Sequence, residues 1–196
     1  MWDFSVKEIS LAMAHPDLPG APKLALPEGY AMRFYQGRED EAHWARIETS
    51  AEEFNKETDA LERFEGYYGA WRAELPGRMM FLTDASGMPV GTVTGWSQQF
   101  PSVWEIEKPP VNAPTDGRLH WVAIDAAHQG LGLSKPMVAA AMARMVELGH
   151  KTGYLTTQTC SWVAIKVYLA LGWVSTMRGK PDEEEGWEIV RGKVRE

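Results

Sequence analysis

Cysteine is almost absent: Cys160 is the only one among 196 residues. No intrachain disulfide can form, so nothing points to an oxidising compartment. Uninterrupted apolar runs long enough to cross a bilayer, about 20 residues, are also missing. The opening Met1-Trp2-Asp3-Phe4 lacks the basic start of a secretory signal. Positive charge is in deficit, with 20 Lys and Arg against 27 Asp and Glu and a formal net charge of −7. That balance argues against nucleic acid as the main partner, because phosphate binding needs a basic surface. Internal repeats and low-complexity tracts are lacking as well. These absences predict a cytoplasmic chain with no nucleic-acid and no membrane partner.

What is present reads as an ordinary globular protein, with 44% hydrophobic and 24% charged residues. The length suits one domain with a substantial core. Residues 1–28, a short strand and a Pro/Gly-rich link, are expected to belong to the same domain as residues 29–196.

Along the chain, strand and helix signals alternate. Ile9, Leu11 and Met13 share a period-2 face and predict a strand over Lys7–Met13. Prolines 16, 19, 22 and 27 mark a link, and Tyr30–Tyr35 alternates as a second strand. Glu39–Leu75 reads as two helices with a break near Gly66. Met79–Thr83 and Val90–Trp96 are strands joined by the turn signal Asp84-Ala85-Ser86-Gly87. A proline-rich loop follows over Pro101–Gly117, and then a strand over Leu119–Ile124. Leu133, Met137, Ala141, Met145 and Leu148 recur at helical spacing up to Gly149, with Pro136 harmless in the first turn. Tyr154–Thr159 reads as a strand, and Ser161–Leu171 as a helix capped by Ser161 and stopped by Gly172. A closing hairpin is expected from Trp173–Thr176 and Trp187–Val190. Periodicity alone supports a mixed α/β class.

The most informative stretch is Gln129-Gly130-Leu131-Gly132-Leu133-Ser134, between the strand ending at Ile124 and the helix from Lys135. A helix start carries N–H groups without intrahelical partners and partial positive charge. Glycines let the backbone approach a ligand, so the turn suits a phosphate or pyrophosphate. Charge-assisted hydrogen bonds are worth roughly 1.5–3 kcal/mol each. The stretch matches neither G-x-G-x-x-G nor a GK[ST] ending.

Gln129-x-x-Gly132-x-Ser134 resembles the acetyl-CoA motif Q/R-x-x-G-x-G/A of the GNAT family of N-acetyltransferases. Some thirty residues on, Ser161-Trp-Val-Ala164-Ile165-Lys-Val-Tyr168-Leu-Ala-Leu171-Gly172-Trp173 is similar to that family's second signature, N-x-x-A-x-x-x-Y-x-x-x-G-F. Ser134 stands where Gly or Ala is usual, and Ser161 where Asn is usual. The resemblance implies the GNAT fold, a mixed and mostly antiparallel sheet flanked by helices. It implies acetyl-CoA as co-substrate, held by Gln129, Gly130, Leu131, Gly132, Leu133, Ser134 and Ser161. The backbone of Val122, Ala123 and Ile124 would pair with the pantetheine arm, since the family splays its sheet there. No metal is implied.

An alkylamine, with a pKa near 10.4, must lose a proton before it attacks a thioester. By resemblance Tyr168 is the general acid, sharing a helical face with Ser161, Ala164 and Ile165. Complete transfer from tyrosine to a thiolate is uphill by roughly 2 kcal/mol, so hydrogen-bond donation is the more economical role. His120, two residues before Val122, is the candidate base, as in similar arylalkylamine acetyltransferases. Arg118 stands where histone-type relatives carry a glutamate base, against a histone acceptor. Asp125 and His128 are expected to be solvated.

The acceptor is less legible. Glu48, Glu52, Glu53, Glu57, Asp59, Glu62 and Glu65 make the early helices acidic, which reads first as a solvated face. Trp96, Phe100, Trp104 and the proline-rich loop either shape an acceptor pocket or cover the core, and Trp44 and Phe54 suit a buried helix side. The expected partner is a small-molecule amine, with a peptide or protein amine second; a homodimer is permitted, not required. Two alternatives stay open: a non-catalytic acyl-CoA sensor of the same fold, and an unrelated α/β enzyme using the turn for another phosphate ligand.

Overall fold

The fold comes from a computed structural model that describes residues 2–97, 99–103 and 117–195. Trp104 and most of the proline-rich loop expected near the acceptor lie outside these residues.

The elements are β1 (Ser10–His15), β2 (Ala31–Phe34), α1 (Glu39–Ser50), α2 (Glu57–Tyr68), β3 (Met79–Thr83), β4 (Pro89–Ser97), β5 (Gly117–Ile124), α3 (Ser134–Glu147), β6 (Gly153–Gln158), α4 (Trp162–Ala170), β7 (Val174–Thr176) and α5 (Glu183–Arg195). The strands form one sheet in the order β2-β3-β4-β5-β6-β1-β7. Every pairing is antiparallel except β5 with β6. Both faces are covered, because successive residues of β3 enter different cores. Met79 and Phe81 join Trp44, Phe64 and Tyr68 from α1 and α2. Met80 and Leu82 join Met137, Met142 and Met145 from α3 and Ile165 from α4. Side chains alternating across a strand account for that division.

β1 is not a peripheral strap. It lies between β6 and β7, pairing Ser10–His15 with Gly153–Gln158 and Ala12–Ala14 with Val174–Thr176. Ile9, Leu11 and Met13, the face read from the sequence, are at most 1% exposed. Full burial of such side chains is worth about 1.5–3 kcal/mol each. The strand itself starts at Ser10, because Ile9 gives its N–H to the Thr159 hydroxyl at 2.9 Å.

Three expectations are corrected. The first helical pair breaks at residues 51–56 and not near Gly66: Glu52 is left-handed at φ +70° and ends α1, while Ala60, Phe64 and Tyr68 hold α2 together through Gly66. Ser161 precedes α4 without capping it through its side chain; its hydroxyl accepts instead from Gln158 Nε2 at 3.0 Å. The closing hairpin is absent among the described residues. β7 leads to helix α5, where Gly186, Trp187 and Val190 are buried, with Val194 packed beside them. Their spacing is helical, a period invisible in the four-residue window Trp187–Val190.

The functionally important irregularity lies at the centre of the sheet. Among the described residues β5 and β6 are paired only at Gly117–Gly153 and Arg118–Tyr154, then part. On its other side β5 is bulged: Thr92 pairs with Ala123 and Thr94 with His120, so Trp121 and Val122 oppose the single residue Val93. Trp121 takes φ +48° there, unusual for a bulky residue. Its ring is held by Trp44, Phe54 and Tyr67 at centroid separations of 5.4–5.5 Å.

Candidate functional site

Two cavities open where β5 and β6 diverge. The first, about 260 Å³, lies between the ends of β5, α3 and α4. Its walls include Val122, Ala123, Ile124, Gln129, Gly130, Ser134, Ser161 and Tyr168. The second, about 200 Å³, is lined by Tyr67, Arg118, His120, Thr156, Thr157 and Gln158 among others. Glu53, Val122, Ser161, Ala164 and Tyr168 belong to both walls, so the cavities meet there.

The glycine turn has the form a phosphate needs. Gly130 and Gly132 have φ of +78° and +77°, and a Cβ on either would meet nothing within 4 Å. A side chain is therefore disfavoured by backbone strain rather than by crowding. Among the described residues, no backbone N–H from Gly130 to Ser134 donates to another main-chain group, and no side chain caps α3. These donors, with the positive end of α3, fit an anionic diphosphate. Gln129 is partly committed: its Nε2 donates to the Ile124 carbonyl at 2.9 Å and ties the turn to the end of β5. Leu133 is turned into the core and Leu131 into solvent. Leu131, Gly132 and Leu133 are therefore outside the cavity wall and offer the turn's backbone only.

Ser161, just before α4, and Ala164 and Tyr168 on it face the cavities, while Ile165 enters the core. Burial raises the Tyr168 hydroxyl above its ordinary pKa, and the charge of Glu53 acts in the same direction. Tyr168 thus holds its proton firmly, which favours hydrogen-bond donation over complete proton transfer.

His120 lies in the second cavity. Burial, and then the charge of Arg118, drive its pKa well below the usual value, so the imidazole is neutral. Its Nδ1 is 3.1 Å from the Tyr68 hydroxyl, which donates to Thr94 Oγ1 at 3.4 Å. In the tautomer with Nδ1–H donated to Tyr68, Nε2 keeps its lone pair. Arg118 stacks over Tyr67 and Tyr154 at 5.9 and 5.6 Å.

Asp125 and His128 are not simply solvated. Asp125 pairs with Arg46, accepts from Ser50 Oγ at 3.2 Å, and caps its own turn through Ala127 N–H at 3.1 Å. The His128 ring meets Tyr30 edge-on at 6.2 Å. Trp96 is core, its indole donating to the Phe100 carbonyl at 2.9 Å.

The acidic early helices divide. Glu52, Glu57, Asp59, Glu62 and Glu65 are exposed, as a solvated face requires. Glu48 is 0% exposed and Glu53 lines both cavities. Glu48 did carry a signal, since it follows Trp44 by four residues on the buried stripe of α1. For Glu53 and Trp2 no local pattern existed.

A family model describing the Acetyltransferase (GNAT) family matches residues 31–173, well over half of the chain. The chain belongs to the GNAT family. Among curated proteins, this GNAT chain is 28% identical over 177 residues to a mycothiol acetyltransferase of Rhodococcus erythropolis, covering 86% of this chain and 54% of that one. A mycothiol acetyltransferase of Nocardia farcinica is 27% identical over 161 residues, covering 79% and 48%. The chain thus spans about half the length of the curated relatives it matches. Among solved structures, a GCN5-related N-acetyltransferase from Sphaerobacter thermophilus superposes with a TM-score of 0.65 at 19% identity, over 87% of this chain and 49% of that one. A chain of the NatC complex bound to Gag peptide and CoA gives 0.55 at 15% identity, over 79% and 92%. These structures share the GNAT fold, with its sheet mixed and flanked by helices.

Proposed function

We propose that this chain transfers an acetyl group from acetyl-CoA to the amine of a small polar molecule, by direct attack in a ternary complex. The observation that carries the reading is the meeting of two cavities at Tyr168, one beside the glycine turn and the other lined by polar side chains. The donor's phosphates would take the unused N–H groups of Gly130–Ser134. Its pantetheine arm would run along Val122–Ile124, where β5 has left β6 and its edge is open to an added strand. Ser161 lies where the arm and the acceptor meet.

Bringing amine and thioester together supplies the larger part of the acceleration, roughly 7–11 kcal/mol for well-oriented reactants. Tyr168 donates a hydrogen bond to the sulfur as the C–S bond breaks. His120 Nε2 accepts a hydrogen bond from the amine, directly or through water, and orients its lone pair. The mycothiol acetyltransferases are named for a small molecule, which supports a small acceptor over a peptide. The polar wall of Arg118, Thr156, Thr157 and Gln158 suits an amine with neighbouring hydroxyl or carboxylate groups. Residues 1–28 are proposed to be part of the same domain as 29–196, on the support of β1's place inside the sheet.

The test is thiol release from acetyl-CoA with glucosamine, serine amide, spermidine and a short peptide as acceptors. Release with a small amine, weaker with the peptide, is expected. Acetyl-CoA binding with no release from any acceptor favours the sensor reading, and no binding of acetyl-CoA overturns the proposal.

A further inference from the structure

Glu48 is fully buried beside the second cavity, and neither of its carboxyl oxygens has a hydrogen-bond partner among the described residues. An isolated carboxylate there would be very costly, so the group is a neutral acid unless a cation joins it. Burial and then Glu53 raise its pKa well above the ordinary value. The end of α1 brings a second acid beside it. With Glu52 left-handed, the chain reverses, Glu52 N–H donates to the Thr49 carbonyl and Glu53 N–H to the Glu48 carbonyl, each at 3.0 Å. A left-handed non-glycine residue is strained, and such strain concentrates at functional sites. The turn sets Glu53 in the wall common to both cavities, opposite Tyr168 in role: one side holds a proton acceptor, the other a donor. The Trp2 indole donates to Glu53 Oε1 at 3.2 Å. Oε2 has no hydrogen bond from the described residues.

We propose that Glu53 takes the proton from the acceptor's ammonium, and that Glu48, neutral behind it, leaves Glu53 the single anion of the pair. The proposal rests on the acetyltransferase reading above and adds its base. The acceptor enters as R–NH₃⁺ and is drawn to the Glu53 carboxylate. One proton passes to Glu53, leaving R–NH₂, whose lone pair attacks the thioester carbonyl carbon. When the tetrahedral adduct collapses the C–S bond breaks with its electron pair on sulfur. The second nitrogen proton reaches that sulfur, through Tyr168 or water, to give the amide and free thiol. Glu53–H then loses its proton to solvent.

The titratable and charged groups around Glu53 are the N-terminal ammonium, Glu48 of α1, Glu8 before β1, Tyr168 of α4, and Arg118 and His120 of β5. Burial pushes Glu53 up to about 7, against the Trp2 hydrogen bond and the N-terminal ammonium and with the help of Glu8. That value matches a base working at neutral pH. His120, held well below its usual value, binds a proton too weakly for the same task and keeps its orienting role.

The experiment compares wild type, Glu53→Gln and Glu53→Asp on two nucleophiles. Glucosamine is protonated at neutral pH and needs a base; methoxyamine is already neutral and needs none. Glu53→Gln is expected to lower kcat/KM for glucosamine about 100-fold or more and for methoxyamine less than about 3-fold. Glu53→Asp should recover part of the glucosamine rate. The wild-type kcat/KM for glucosamine should rise tenfold per pH unit and level off near pH 7, whereas in Glu53→Gln the rise should follow the free-amine fraction and level off only at the ammonium's own pKa. Equal losses on both nucleophiles, or the same pH profile in both proteins, would assign Glu53 a structural role and overturn the proposal. If the wild type releases thiol with neither nucleophile nor with serine amide or spermidine, the acetyltransferase reading falls and Glu53 with it. Active wild type with unaffected Glu53→Gln removes the base alone.

Discussion

Glu48→Gln isolates one buried proton. In the folded chain Glu48 is wholly inside, without a partner for either oxygen, and burial raises its pKa well above 4.5. In the unfolded chain it ionises as an ordinary glutamate. At a pH below the unfolded value both states carry the proton, and the burial incurs no pH-dependent loss. As pH rises further, the unfolded chain releases its proton while the folded chain keeps it, so stability falls until the raised folded value is passed. A single group in this regime loses about 1.2 kcal/mol between pH 5 and pH 6. With an m-value near 2 kcal/mol/M, that shifts a urea midpoint by about 0.6 M. Gln cannot titrate, so its stability relative to wild type should climb by that amount across the interval. The offset is a separate matter, because the buried amide adds hydrogen-bond donors of its own, but that contribution does not change with pH. The assay is urea unfolding of both proteins at half-unit steps from pH 5 to pH 7. Parallel stability curves would mean that Glu48 is ionised in the folded chain, and would refute the argument from burial.

Three further outcomes are expected. Tyr168→Phe should slow acetyl transfer by about 10²-fold or more while leaving acetyl-CoA affinity within about threefold, read by thiol release and calorimetry; unchanged turnover would remove Tyr168 from the mechanism. Gly132→Ala places a side chain at φ +77° in open space, so strain of about 1–2 kcal/mol should weaken acetyl-CoA binding roughly tenfold or lower the melting temperature by a few degrees. Met13→Ala in the middle of β1 should destabilise the fold by about 2–5 kcal/mol in urea unfolding, whereas a loosely attached N-terminal strand would give almost no effect.

What was legible in the sequence is what short-range physics dictates. The segment Leu119–Glu147 gave strand, turn and helix from its own residues, because β-sheet and helix periods and left-handed glycines are decided within a few positions of each other. The face of α4 that carries Ala164 and Tyr168 follows from 3.6 residues per turn alone. The same reasoning failed at Trp187–Val190, where too few residues were read to separate a helix from a strand.

Tertiary structure decided the rest, since it depends on segments far apart in the chain. The place of β1 between β6 and β7 joins residues near 12 to partners near 156 and 175, and periodicity cannot name a strand's neighbours. The opening between β5 and β6 arises from a pairing that stops after two residues and a bulge on the opposite side. Glu48 and Glu53 looked like two charges in an acidic run of seven. Glu48 shares the helical stripe of Trp44, but only the packing of α1 against the sheet buried that stripe, and only the reversal at Glu52 set Glu53 between the cavities. Burial and proximity turn a carboxylate into a base, and neither is a local property of the sequence.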